Sequence, residues 1–147
     1  MGLAEFLRLH RRVAIDSCIF IYELEGDPRY LPLARRVFRW LEGPNHSAVT
    51  STLTMTEVLT LPYARQSKQW ANKYYGLLSD YPNLEWIAPD LEIADLAAQF
   101  RARYRLRTPD AIQAATAVHS GVCGLISNDP AFRRVEGLDV LLFDELL

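Results

Sequence analysis

Five short runs of aliphatic and β-branched residues alternate along this chain with longer segments whose apolar residues recur at helical spacing. A strand that returns to lie beside its predecessor in the same direction needs a long crossover, usually a helix. Regular alternation therefore argues for a parallel sheet covered by helices on both faces. Strands are expected at Arg12–Ile15, Ala48–Thr52, Leu84–Ala88, Val122–Ser127 and Val140–Phe143. Helices are expected from Ser17 to about Glu25, Leu31 to Leu41, Thr54 to Leu61, Ser67 to Tyr81, Leu91 to Tyr104, and Thr108 to near Gly121. A short helical turn follows at Pro130–Arg133. Pro62 is expected to stop its helix, Asp90 to cap one, and Thr108-Pro109 to open another with a capping hydroxyl and a first-turn proline. Trp70, Tyr74, Leu77, Leu78 and Tyr81 are spaced for one face of their helix. The expected architecture is three-layer α/β/α around a central, mainly parallel five-stranded sheet. With 147 residues and no linker or repeat, one domain over 1–147 is expected.

Half of the residues are hydrophobic, and a chain of this size buries about 70% of its unfolded surface, so the core needs no disulfides. The formal charge of −2 says little about partners, but its make-up is uneven. Lys68 and Lys73 are the only lysines among 16 basic residues, so 16 − 2 leaves 14 arginines. Guanidinium groups match phosphate bidentately, although codon bias or an ordinary surface explains an arginine-rich composition equally well. Cys18 and Cys123 form no CxxC and read as buried free thiols of a reducing compartment. The opening MGLAEFLRLHRR has too short an apolar run for a signal peptide. No apolar stretch is long enough for a bilayer, and a cytoplasmic location is expected.

Asp16, Glu57, Asp110 and Asp129 each lie where a strand-like run meets a helix, or early in the helix that follows. Each has an ordinary explanation. Asp16 and Asp129 suit helix N-caps; Thr54 with Glu57 fits a capping box; Asp110 gains from the helix dipole. A parallel sheet, however, gathers the carboxyl ends of its strands on one rim, where ligands bind. One site accounts for four comparable placements better than four coincidences. Carboxylates crowded there repel one another and stay ionised only around a cation.

The strings Val-Ala-Ile-Asp-Ser-Cys-Ile-Phe-Ile-Tyr, Thr-Glu-Val-Leu, Leu-Arg-Thr-Pro-Asp-Ala-Ile-Gln-Ala-Ala and Leu-Ile-Ser-Asn-Asp-Pro-Ala-Phe occur in this order. Together they resemble the PIN domain, and more narrowly the VapC toxin ribonucleases of toxin–antitoxin pairs, from about Arg12 to Leu142. The resemblance implies a PIN-like fold, metal-binding and catalytic roles for Asp16, Glu57, Asp110 and Asp129, and supporting hydroxyls at Ser17 and Ser127. It also implies Mg²⁺ or Mn²⁺ as cofactor, an RNA substrate cut to 5′-phosphate and 3′-hydroxyl ends, a VapB-like antitoxin and a homodimer. Trp70 and Tyr74 are candidate dimer contacts. Two positions depart from the family pattern. Cys18 stands where Asn is frequent, and Pro130-Ala131 stand where some relatives carry a further acid, which weakens a second metal position.

Substrate grip is expected from Arg105 and Arg107, which lead into Asp110, with Asn128 at the polar end of its strand. Arg101 and Arg103 suit a helix C-terminus, and Arg35, Arg36 and Arg39 read as a solvated face or a partner contact. His10, His46 and His119 lie in unrelated contexts, which argues against a metal-free histidine-pair ribonuclease. A phosphorylated receiver domain needs an acid pair after its first strand and a late lysine, and neither is present. A DNA nuclease of the same fold, general RNA processing, and a catalytically inactive RNA-binding scaffold stay open.

Overall fold

The computed structural model describes residues 1–147. Its strands are β1 (Arg12–Ile15), β2 (Ser47–Ser51), β3 (Leu84–Ile87), β4 (Gly124–Ser127) and β5 (Asp139–Leu142). The helices are α1 (Leu3–Leu9), α2 (Ser17–Glu25), α3 (Leu31–Leu41), α4 (Leu53–Ala64), α5 (Lys68–Ser79), α6 (Leu91–Tyr104) and α7 (Thr108–His119). Two 3₁₀ turns, Pro130–Arg134 and Phe143–Leu146, flank β5. One sheet forms in the order β3-β2-β1-β4-β5, with every pair parallel.

Strand alternation divides the core between the two faces. Val13 and Ile15 join a cluster with Phe6, Phe20, Val37 and Leu78, so α1 to α5 cover that face. Ala14 points the other way, into a cluster with Val49, Leu125, Ile93 and the alanines of α7. Those alanines (Ala111, Ala114, Ala115 and Ala117) are fully buried, and their small side chains let α7 lie close against the sheet. Phe6, Phe20, Phe132 and Phe143 are the largest fully enclosed side chains; burying each contributes about 1.5–3 kcal/mol. Gly124 has a steric role, since a Cβ there would lie 2.6 Å from the His10 ring. No helix is long and apolar enough to cross a membrane.

Several local expectations are corrected. The opening segment forms α1, whose Leu3, Phe6 and Leu7 at i, i+3 and i+4 dock on the core. Pro62 lies inside α4, in its last turns, where the missing N–H removes one bond while the ring is buried. Thr108 is the first residue of α7 rather than its cap, which falls on Arg107 with no side-chain hydrogen bond. Ala71, Tyr74 and Leu78 form the buried face of α5, whereas Trp70 and Leu77 are about half exposed. Tyr74 is therefore core, its hydroxyl donating to the Leu24 carbonyl, and is withdrawn as a dimer contact. Cys123 is exposed and Cys18 half-buried, so neither is the fully buried thiol expected. Asp90 does cap α6, accepting from the Ile93 N–H at 2.8 Å.

Candidate active site

The chain runs outward from β1 through β2 to β3, then returns to place β4 on the other side of β1. Connections leaving β1 and β4 diverge, and such a reversal opens a crevice beyond the carboxyl ends of the strands. A cleft of about 220 Å³ occurs there, lined by Asp16, Glu57, Asp110, Asp129, Arg107 and Asn128, with Ser17 at its floor. The four acids come from the ends of β1 and β4, the first turn of α7 and the second turn of α4. The capping box considered for Glu57 does not form: Thr52 is the cap position of α4, with no side-chain bond, and Glu57 is exposed.

Asp16 is the most enclosed of the set, 7% exposed. Its Oδ1 accepts the Ser17 N–H at 2.9 Å, making it the cap of α2. Its Oδ2 accepts the Ser127 hydroxyl at 2.7 Å. Burial raises its pKa from 3.8 to about 6 against the lowering effect of both hydrogen bonds, and the charges of Asp110 and Glu57 raise it further. Ser127 Oγ also accepts the Asp129 N–H at 3.1 Å, so one buried hydroxyl ties two of the acids together. Asp129 in turn accepts the Ala131 N–H at 2.9 Å and caps its 3₁₀ turn. Capping and cleft lining are thus not exclusive for Asp16 or Asp129.

Burial also raises the Asp110 carboxyl, and Asp129 adds to this, while Arg107 opposes both. Arg107 Nε–H reaches Asp110 Oδ2 at 3.3 Å, and its Nη2 lies 3.9 Å from Asp129 Oδ2. Arg107 therefore stands between two carboxylates as an exposed counter-charge. Arg105 does not line the cleft; it adopts the left-handed conformation that ends α6. Asn128 has both amide ends engaged, donating to Tyr22 Oη at 3.0 Å and accepting the Asp144 N–H at 2.8 Å.

Ile21, Tyr22 and Gln113 escaped the sequence reading, and Cys18 was noted there only as a departure from the family pattern. Cys18, Ile21 and Tyr22 share the face of α2 that borders the cleft, a pattern visible in their i, i+3, i+4 spacing. Cys18 Sγ lies 3.7 Å from Asp16 Oδ2, and burial together with that charge holds the thiol protonated. Burial likewise pushes the Tyr22 hydroxyl up to about 12. Gln113 lies one turn after Asp110 and is 3% exposed. Its Nε2–H donates to Thr54 Oγ1 at 2.6 Å, and its Oε1 accepts the Ser51 N–H at 3.3 Å. Thr54 contacts Thr50 Oγ1 at 2.7 Å, which donates to the Ile15 carbonyl at 2.9 Å. This network joins α7, α4, β2 and β1 directly beneath the acids. No spacing rule pairs residues 59 positions apart.

The donor set consists of carboxylate oxygens, which suit a hard divalent ion. No three of the side chains stand close enough together to form a ready-made ligand cage, and Glu57 is exposed. In type the residues fit such an ion, and all four line the one cleft.

The sequence matches the family model of the PIN domain over residues 13–138. No curated protein matches it. Solved structures share the fold at low identity. A toxin–antitoxin complex from Klebsiella pneumoniae is 23% identical with a TM-score of 0.67, covering 89% of this chain and 97% of that one. VapBC2 from Rickettsia felis, bound to a promoter DNA fragment, is 15% identical with a TM-score of 0.72, covering 89% and 98%. VapC20 from Mycobacterium tuberculosis, a toxin that cleaves the Sarcin-Ricin loop, is 16% identical with a TM-score of 0.67, covering 82% and 92%. The family match takes in all four acids and the strands from β1 to β4, stopping just before β5, and this chain belongs to the PIN-domain family of nucleases.

Proposed function

We infer that the protein is a divalent-metal-dependent endoribonuclease acting as the toxin of a VapBC-type pair. The observation that carries this is the convergence of Asp16, Glu57, Asp110 and Asp129, from four separate elements, on one cleft. In this reading the four carboxylates hold Mg²⁺ or Mn²⁺, which supplies Lewis-acid polarisation of the scissile phosphate and an activated water when bound. Ser127 fixes the orientation of Asp16 through its hydroxyl. The Gln113 network sets the distance between the helices bearing Glu57 and Asp110. Arg107 balances Asp110 and Asp129 in the free protein and turns to a substrate phosphate when strand enters, a role its fork of donors suits.

A VapB-like antitoxin is the partner in this reading, supported by the toxin–antitoxin complexes that share the fold. A basic side chain from such a partner would compete with metal or substrate for the carboxylates. Homodimerisation belongs to the same reading, with Trp70, Tyr75 and Leu77 exposed along α5 as its apolar contribution. The deciding assay incubates purified protein with structured RNA and with DNA of the same sequence, each with and without EDTA, beside Asp110→Asn. RNA cleavage that EDTA abolishes and Asp110→Asn lowers by about 10²-fold or more is expected. Cleavage surviving both treatments ends the metal reading, and preference for DNA transfers the activity to the other sugar.

A further inference from the structure

A broad hollow lies away from the carboxylates. It holds about 540 Å³ and is walled by Arg8, Arg11, Arg36, Arg39, Trp40 and His46. These residues come from the end of α1, the approach to β1, the last turns of α3 and the approach to β2. All belong to the amino rim of the parallel sheet, the rim opposite the acidic cleft. No aspartate or glutamate lines the hollow, so four guanidinium groups face it in a chain of formal charge −2.

Arg12, Arg65, Arg103, Arg107 and Arg133 each pair with a carboxylate. Arg8, Arg11, Arg36 and Arg39 are exposed and make no such pair. The helix dipole accounts for Arg8 and Arg39, each in the last turn of its helix. It does not account for Arg11 and Arg36 converging on the same hollow. Beside them the Trp40 and His46 rings stack at 4.4 Å and 15°. His46 Nδ1 lies 2.7 Å from the Trp40 carbonyl oxygen, as a donor in the tautomer that satisfies both, and this fixes the ring. A Cβ at Gly43 would approach His46 Nδ1 to 3.1 Å, so the loop is closely fitted around the pair.

Unpaired guanidinium groups around one concavity focus positive potential on it, and their planar forks match phosphate oxygens. A fixed aromatic stack beside a cationic trough is the combination that holds single-stranded nucleic acid without reading its sequence. Because the arginines are exposed around an open hollow, the geometry suits a strand passing across it rather than an enclosed small molecule. We propose that this hollow is a second RNA contact, gripping the phosphate backbone of a single-stranded stretch outside the cleft. The proposal rests on RNA being the substrate.

The test separates binding from cleavage. Binding of a labelled single-stranded RNA is read by fluorescence anisotropy in EDTA, on an Asp110→Asn background, across a salt series. Arg36→Ala/Arg39→Ala and Arg8→Ala/Arg11→Ala are each expected to weaken binding about tenfold or more at about 0.1 M salt, and to lower the slope of log affinity against log salt by about 1.4. The altered side chains are exposed, so the fold is retained. With an otherwise unaltered cleft, Arg36→Ala/Arg39→Ala raises KM for a long RNA and leaves kcat unchanged. Unchanged affinity and slope in both double variants overturn the proposal. So does a free mononucleotide binding as tightly as the strand, or an acidic peptide displacing RNA better than competitor RNA does. Since binding is read with metal removed and the cleft disabled, failure of the nuclease reading leaves this result intact, and the reverse holds as well.

Discussion

Asp16 answers to two opposed demands. Its position as the cap of α2 and as partner of Ser127 fixes its carboxylate beside the cleft, yet the burial that fixes it disfavours its charge. A folded pKa raised above the unfolded one means that the protonated form is the one folding favours. The associated stability is fully present below the unfolded value of 3.8 and is lost as pH rises through about 6. The loss amounts to about 3 kcal/mol at neutral pH. Asp16→Asn keeps a capping oxygen and removes the charge. In EDTA it is expected to be more stable than the parent at about pH 8 by up to that amount, with the gap closing near pH 4. Urea titrations of both proteins across this range check it; parallel curves throughout would show that Asp16 carries no such cost.

At the scale of elements, the cleft depends on the placement of α4 and α7, and Gln113 is what joins them. Gln113→Ala leaves the buried Ser51 N–H without its acceptor and removes a donor from Thr54. A cost of about 1–3 kcal/mol is expected, read as a lower denaturant midpoint at unchanged m-value. RNA cleavage should fall further than stability does, because Glu57 and Asp110 lose their common anchor. If cleavage at saturating metal is unaffected, the network is packing alone. The elements themselves were largely legible, because strand and helix periods differ and the apolar runs here are clean. What local pattern misjudged were points where tertiary contact outweighs propensity. The apolar face of α1 is only three residues, and Pro62 keeps its place in α4 because its ring is buried. The shared rim of the acids was legible from their strand-to-helix positions; Tyr22 was missed, although its spacing from Cys18 carried the signal. Gln113 was not legible, since its partners lie in distant elements. Arg105 misled because proximity in sequence to Asp110 says nothing about the turn, left-handed at Arg105 itself, that lies between α6 and α7.

For the whole molecule, α5 presents Trp70, Tyr75 and Leu77 to solvent in a continuous stretch of chain, and a second copy is the occupant expected there. Trp70→Ala combined with Leu77→Ala should shift a dimer to monomer in sedimentation equilibrium, with little change in helix content because both side chains are half exposed. A dimer of undiminished affinity would locate the contact on another face. The sheet itself has a broader effect. Since its strands all run one way, its two rims are chemically unlike: arginines gather where strands begin and acids where they end. The protein thus has an electrostatic head and tail. A long polyanion diffusing toward such a molecule is expected to meet the arginine end first.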